Sequence, residues 1–270
     1  MQELHPVTHM NIQEFFGFGG YSRTAEGYLS WQHLCFVTSL CLIMTLCAVI
    51  LGKKNRNKSL YEKNRCLMVS AVLIDSFEIL KIVILSIRGK DPMHWTHELP
   101  LFLCSIQLIT IPLAAFSKRR IKEASLDFVT IFGLLGALAG TYFAGNNYGT
   151  YPVISVDNVI SGITHCISGF CSLYILISRM ASMEKKNIPI TLSILSVFCL
   201  AAYVANIFTG SNYMFLSRGD GTPYDILYKL VNGHPLLYPL GVVALFVLYI
   251  YLYYSVFYGI TKRSKESCHV

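Results

Sequence analysis

Long apolar runs alternate with short polar connections along almost the whole chain. Each run is long enough to cross a bilayer, which takes about 20 residues, and each is expected to be helical, because backbone groups in lipid must be satisfied within their own segment. The pattern predicts an all-α membrane bundle of about seven transmembrane helices in one domain, 31–258. The predicted spans are 31–51, 66–88, 99–116, 126–144, 158–178, 188–210 and 235–258.

Lysine and arginine are distributed unequally between alternate connections. The set containing 52–65 and the tail 259–270 holds sixteen of them, and the other set holds five. Because basic residues favour the cytoplasmic side, we predict a cytoplasmic tail and an extracytoplasmic segment 1–30. The protein is therefore predicted to be a multi-pass protein of the cell membrane.

Composition excludes several classes of function. Only 14% of residues are charged, against roughly 25% in soluble domains, and the net charge of +7 lies in connections rather than on one face. Nucleic acid is therefore a poor candidate partner.

The nine cysteines lie mostly within apolar runs, and no set of histidines and cysteines has a recognised ligand spacing. We predict no cofactor and no metal site.

Ionisable residues interrupt the second apolar run. Asp75, Glu78 and Lys81 are spaced by three, so they share one helical face. Charged groups inside a membrane usually face the bundle interior and mark function. Glu78 and Lys81 are expected to form an ion pair. A purely structural polar seam is the alternative interpretation.

Several polar groups are predicted to lie at one depth. With a rise of 1.5 Å per residue, Cys104 lies roughly 8 Å, and His165 and Lys81 roughly 10 Å, below the outer edge. Three other side chains are expected in the same outer third: His33, Gln107 and Asn206. We predict a polar pocket opening toward the outer leaflet, although equal depth does not show that two side chains face each other.

Cysteine and histidine in such a pocket suit acyl transfer, because a thiolate is a nucleophile and a nearby histidine or lysine favours its formation. The alternative is that Cys104 is an ordinary small apolar residue and His165 an interhelical contact. Small residues on the fourth predicted helix indicate close helix packing. They are Gly133, Gly136, Ala137 and Gly140.

Three short motifs resemble those of the YwaF-like integral membrane proteins of bacteria. They are Leu99-Pro-Leu-Phe-Leu-Cys-Ser-Ile106, Asn158-Val-Ile-Ser-Gly-Ile-Thr-His165 and Asn212-Tyr-Met-Phe-Leu216. Pro235 and His33 extend the likeness, which covers about 30–258.

That family is similar, distantly, to the eukaryotic multispanning cysteine acyltransferase that remodels ether phospholipids, and more remotely to the androgen-induced multispanning hydrolases of fatty-acid esters. The resemblance implies a nucleophile at Cys104 and a histidine at His165 on another helix. One position departs from the pattern: bacterial members commonly carry histidine where this chain has Phe102.

Two functions from different classes follow. The first is a lipid acyltransferase or acyl-ester hydrolase near the outer leaflet, with Cys104 as nucleophile, His165 as general base, and Lys81 or Gln107 polarising the site. Its partners would be membrane lipids, such as a phospholipid or a fatty-acyl ester. The second is a non-catalytic subunit or transporter in which Asp75, Glu78, Lys81 and Asn206 bind a small solute. A structural scaffold is a third interpretation.

Overall fold

The computed structural model describes residues 12–90 and 93–266, which are helical with no β-strand among them. The all-α prediction is confirmed. The α-helices are α1 Ile12–Phe16, α2 Trp31–Asn55, α3 Leu60–Gly89, α4 Gln107–Phe116, α5 Arg119–Tyr142, α6 Gly145–Thr150, α7 Val156–Ile177, α8 Ile188–Thr209, α9 Tyr224–Leu230 and α10 Leu237–Glu266. Short 3₁₀ turns occupy His94–His97, Lys185–Asn187 and Tyr213–Phe215.

Within the described residues, five helical stretches are long and apolar enough to cross a membrane. They are Trp31–Asn55, Arg119–Thr150, Val156–Ile177, Lys185–Thr209 and Leu237–Tyr258. The chain is therefore a multi-pass membrane protein, while the count of seven and the orientation stay predictions. Of the other two predicted spans, α3 has 30 residues but carries Asp75, Glu78 and Lys81, and α4 has only 10 residues.

The third predicted span is wrong in its first half. A helix was expected from Leu99, but α4 begins at Gln107. The preceding segment forms turns, in which the Leu101 N–H donates to the carbonyl of Leu99 and the Phe102 N–H to Oγ of Ser105. An apolar composition does not distinguish such turns from a helix, which is why the sequence missed them.

The two ends of the chain also differ from the expected segments. The tail was predicted to begin at residue 259, but α10 continues to Glu266, and residues 267–270 lie outside the described part. Of the predicted external segment 1–30, residues 1–11 lie outside it as well.

Polar side chains at the helix ends explain where the chain turns. Ser30, Ser59 and Ser155 each accept a hydrogen bond from the third N–H of the helix that follows, which satisfies a donor that has no partner within the helix. Ser59 and Glu62 complete a reciprocal capping box. At the end of α8, Gly210 adopts a left-handed conformation, with φ of 69°, that glycine tolerates without steric cost.

The helices α5 and α7 form the centre of the bundle, and α2, α3 and α4 pack around them. A Cβ atom at Gly133 would lie 2.8 Å from the carbonyl oxygen of Ser168 on α7. The Ser172 hydroxyl donates to the carbonyl of Thr130 at 2.8 Å. The small residues of α5 thus permit close approach of two backbones, as predicted.

A second cluster of buried side chains joins α5 to α8 and α10. At its polar end, the fully buried Asp127 of α5 accepts hydrogen bonds from the Met183 N–H at 3.1 Å, Asn187 Nδ2 at 2.9 Å and the Tyr254 hydroxyl at 2.9 Å. Two donors from the connection before α8 and one from α10 thus converge on one carboxylate. Sequence reasoning did not single out Asp127.

Candidate functional site

A cavity of about 330 Å³ lies between α3, α7 and the turns that precede α4. Its wall contains both ionisable and apolar side chains. It is lined by Ile74, Glu78, Lys81, Leu85, Arg88, Glu98, Leu99, Phe102, Cys104, Ser105, Leu108, Asn147, Tyr151, Asp157, Ser161, Thr164 and His165. Four of the eight predicted site residues line this cavity, namely Glu78, Lys81, Cys104 and His165. An opening toward the outer leaflet stays a prediction.

Cys104 lies in the turns that lead into α4, not within a helix. Irregular backbone at membrane depth is tolerated only where it is buried in protein or lines a cavity, and this segment lines the cavity through Leu99, Phe102, Cys104 and Ser105. The backbone N–H groups of Cys104 and Ser105 lie near the Cys104 sulfur. Amide donors at a helix N-terminus stabilise negative charge.

His165 projects from α7, and one hydrogen bond fixes the orientation of its ring. Nδ1 lies 2.7 Å from the backbone carbonyl oxygen of Ser161. A carbonyl can only accept, so Nδ1 carries the proton, and in the neutral ring Nε2 bears the lone pair. Nε2 is buried and forms no well-aligned hydrogen bond within the described part of the chain. The ring is thus arranged to accept a proton at Nε2.

The Cys104 thiol and the His165 imidazole are neighbours in the lining of the same cavity, although Nε2 forms no hydrogen bond within the described residues. Equal depth had left their relative direction open, and the structure brings them together. The hydroxyl of Ser161 is the other nearby nucleophile, at 3.5 Å from Nδ1. It is on the side of the ring that donates to a carbonyl, so it is poorly placed to give up a proton.

Two glycines of α5 hold this pair. A Cβ atom at Gly136 would lie 3.3 Å from Cβ of Cys104, and a Cβ atom at Gly140 would lie 1.9 Å from Nε2 of His165. The two glycines are one helical turn apart. The small-residue stripe, interpreted from sequence as helix packing, therefore also makes room for the candidate dyad.

Lys81 is paired with two carboxylates. Its Nζ lies 3.0 Å from Glu78, as the sequence predicted, and 2.7 Å from Glu98. Two carboxyl groups, from α3 and from the residue before Leu99, thus hold one ammonium group. Sequence reasoning missed Glu98; its position directly before the Leu99 motif was the available signal.

Arg88 and Asp157 form a second charged contact in the cavity wall. The guanidinium donates to both carboxylate oxygens at 2.7 Å, a bidentate geometry. The Tyr21 hydroxyl donates to the same carboxylate at 2.5 Å, and burial together with Asp157 raises the pKa of Tyr21. This contact ties the segment before α2 to the cavity. The sequence analysis did not predict this contact between Arg88 and Asp157.

A family comparison covers both members of the Cys104–His165 pair. The family model described as TMEM164 family matches residues 28–255. The chain belongs to the TMEM164 family. Comparison with curated proteins and with solved structures finds no match.

Four predicted pocket residues of this TMEM164 family member lie outside the cavity lining. The first, His33, is fully buried; it accepts from the Leu29 N–H at 3.2 Å and bonds the carbonyl of Thr141 at 3.0 Å. Nε2 thus links α2 to α5, and Nδ1 fixes the turn that precedes α2. Asp75 is half-buried on α3, one turn below Glu78.

Gln107 and Asn206 are buried and bond locally. The Gln107 side-chain carbonyl accepts from the Thr110 hydroxyl at 3.0 Å. The Asn206 amide binds the backbone of Tyr213 twice, donating to its carbonyl at 3.1 Å and accepting from its N–H at 2.6 Å. A common depth therefore did not mean a common pocket, because these side chains point toward other neighbours.

Tyr213 connects Asn206 to the nucleophile segment. Its hydroxyl donates to the carbonyl of Thr96 at 2.8 Å and accepts from the Leu99 N–H at 3.2 Å. Its ring lies 5.1 Å from that of Phe102. Phe102, where the resemblance led us to expect histidine, lines the cavity and contacts this tyrosine. The motif Asn212–Leu216 thus supports the backbone that carries Cys104.

Proposed function

We propose that this TMEM164 family member is a membrane-embedded lipid acyltransferase or acyl-ester hydrolase, with Cys104 as nucleophile and His165 as general base. The observation that carries the proposal is the meeting of thiol and imidazole in one cavity, with Nδ1 committed to a carbonyl and Nε2 without a well-aligned partner. The YwaF-like resemblance supports the same roles.

In the first half-reaction, Nε2 of His165 takes the thiol proton, and the sulfur attacks the ester carbonyl carbon of a lipid. The carbonyl oxygen becomes an oxyanion, and the N–H groups of Cys104 and Ser105 are placed at the nucleophile to stabilise negative charge. When the tetrahedral intermediate collapses, the C–O bond breaks, and the leaving alcohol takes the proton from His165. An acyl thioester remains on Cys104.

In the second half-reaction, His165 removes a proton from an acceptor hydroxyl, which attacks the thioester and releases Cys104 as the thiol. With a lysolipid as acceptor the reaction is acyl transfer, and with water it is hydrolysis. The two outcomes differ only in which hydroxyl reaches the cavity. The polarising role expected for Lys81 or Gln107 falls instead to the backbone amides, because Lys81 is paired twice and Gln107 lies outside the lining.

The transport alternative has less support. It required Asp75 and Asn206 to line the same site as Glu78 and Lys81, and only the latter two line the cavity.

The test is an activity assay in reconstituted vesicles. The purified chain is mixed with phospholipids that carry a labelled acyl chain and with a lysophospholipid acceptor, and labelled diacyl product and free fatty acid are both quantified. Cys104→Ala should abolish both products. His165→Gln should lower the rate by about 10²–10⁴-fold, the range typical of general bases. Cys199→Ala, at a buried cysteine in the α8 cluster, is the matched control and should retain the rate. Equal rates for Cys104→Ala and the unsubstituted chain would refute the proposal.

A further inference from the structure

A second, apolar groove runs between α2 and α3. These helices are consecutive in sequence, but α2 packs mainly against α7, and α3 packs against α4 and α7, rather than α2 and α3 against each other. The space between them is a groove of about 530 Å³. Its lining shares no residue with the Cys104 cavity and comprises Leu40, Ile43, Met44, Cys47, Leu51, Arg65, Cys66, Val69, Ser70, Leu73, Ile163, Cys166, Ile167 and Phe170.

The groove has the dimensions and chemistry of a site for one hydrocarbon chain. From Leu40 to Leu51 it follows α2 for about 16 Å, at 1.5 Å per residue. The floor is formed by apolar side chains of α7, including Ile167 and Phe170. The rims stay open, since Ile43 and Val69 are each 59% exposed. In a multi-pass membrane protein such an open apolar channel faces lipid.

One end of the groove is polar and basic. Asn55 donates to the Tyr174 hydroxyl at 3.0 Å and to the Cys66 sulfur at 3.4 Å, and Tyr174 donates to the carbonyl of Lys63 at 2.9 Å. These contacts join the ends of α2, α3 and α7 at the base of the groove. Arg65 is the one charged residue in its lining and is exposed.

The connection around this end is strongly basic. Residues 52–65 hold six lysines and arginines against one acidic residue, Glu62, and Glu62 is bound to Ser59 in the capping box. An apolar channel that ends at an arginine in a basic environment complements a lipid with a hydrocarbon chain and an anionic head. Arginine binds phosphate oxygens with a bidentate geometry, and basic residues at a membrane surface attract anionic lipids.

We propose that this groove binds one acyl chain of an anionic phospholipid, whose phosphate contacts Arg65. The site is separate from the Cys104 cavity, so the lipid held here is a bound structural lipid and not the substrate of the proposed reaction. Under the predicted orientation it comes from the cytoplasmic leaflet. Basic residues of this connection also satisfy the general charge rule for membrane topology, and the experiment must separate that role from a defined site.

The test is native mass spectrometry of the full chain, purified in detergent and titrated with phosphatidylglycerol or with phosphatidylcholine of the same acyl chains. We expect one phosphatidylglycerol to be retained in preference to phosphatidylcholine. Arg65→Gln should weaken that retention by about 10-fold or more, since it removes a charge-assisted contact. Arg56→Gln, at an exposed basic residue of the same connection that does not line the groove, should leave it unchanged.

A second variant fills the groove instead of removing the charge. Cys47→Trp places a large side chain between α2 and α3 and should prevent retention while Arg65 is intact. Any one of three results would overturn the proposal. The first is an equal loss of phosphatidylglycerol retention in Arg56→Gln and Arg65→Gln. The second is equal retention of phosphatidylglycerol and phosphatidylcholine, and the third is full phosphatidylglycerol retention in Cys47→Trp. Elution as a single folded species in size-exclusion chromatography is required of every variant, and acyl transfer by Cys104 is measured separately because it does not depend on this site.

Discussion

Two buried polar regions of the same bundle differ in how completely their groups are hydrogen-bonded. Asp127, between α5, α8 and α10, accepts three hydrogen bonds, one at Oδ1 and two at Oδ2. His165, between α5 and α7, has one nitrogen bonded and the other buried without a well-aligned partner. Burying either group without hydrogen-bond partners would cost free energy. Only Asp127 has a partner at each of its polar side-chain atoms.

The difference separates a structural group from a chemical one. A carboxylate that accepts from α10 and from the connection before α8 stabilises the fold, and it lines neither cavity described above. An imidazole nitrogen that is free to accept a proton, beside a thiol in a cavity, costs stability and retains reactivity. Incomplete hydrogen bonding at a buried group is a recognised reason to look for a function.

The largest effect on folding is expected at Asp127. Asp127→Ala would leave the Met183 N–H and one N–H of the Asn187 amide without an acceptor, while the Tyr254 hydroxyl can donate to Thr191 Oγ1 at 3.1 Å. Each unpaired donor costs roughly 1–3 kcal/mol. We expect a loss of about 3 kcal/mol or more of stability, measured as a large fall in thermal midpoint and in the yield of monodisperse protein. Glu123→Ala, one turn away on the same helix at a 40% exposed side chain, is the control and should have little effect. A stable, fully folded Asp127→Ala protein would remove the structural half of the comparison.

A smaller effect, confined to activity, is expected at Gly140. Gly140→Ala introduces a Cβ that would overlap Nε2 of His165, so the imidazole ring must leave its present position beside Cys104. Displacements of about 1 Å at a reacting group can cost roughly 10²-fold in rate. We expect a loss of that size in labelled acyl transfer.

Gly149→Ala provides the matched control, because a Cβ there meets no atom within 4 Å. Both variants should elute as folded protein. Full activity in Gly140→Ala would mean that the imidazole position does not matter, contrary to the proposed role of His165.

The smallest effect is expected at Tyr213, which acts on Cys104 only through the backbone. Tyr213→Phe removes the hydroxyl contacts to Thr96 and Leu99 but keeps the ring beside Phe102. We expect the acyl-transfer rate to fall by about 10-fold, the equivalent of one hydrogen bond of about 1.4 kcal/mol. Tyr238→Phe is the control, because it removes a buried hydroxyl that has no hydrogen-bond partner in the described part of the chain. It should leave the acyl-transfer rate unchanged.

Most of the membrane architecture could be predicted, because apolar periodicity and length fix spanning helices. The predicted spans 158–178 and 188–210 agree with α7 and α8 to within two residues at each end. The interruption before α4 could not be predicted from apolarity, since its turns have the same composition as a helix. Pro100 and Ser105 were the available signals of a break.

The sequence predicted how deep the candidate side chains lie in the membrane, but not which neighbours they point toward. Cys104 and His165 were placed at one level, and the structure adds that both line one cavity, each beside a glycine of α5. Asn206 was placed at the same level, but its amide binds Tyr213 instead. Glu98 escaped notice because a connection residue reveals nothing about its partner until the chain is folded.

A covalent acyl group on Cys104 is the most direct test of the central claim. The chain is incubated with a phospholipid, digested, and the peptide containing Cys104 is weighed by mass spectrometry before and after treatment with neutral hydroxylamine, which cleaves thioesters. We predict a mass increase of one acyl group at Cys104 that hydroxylamine removes and that is missing in Cys104→Ala. The account would be contradicted if Cys104→Ala transferred labelled acyl chains at the full rate and the unsubstituted chain carried no acyl adduct.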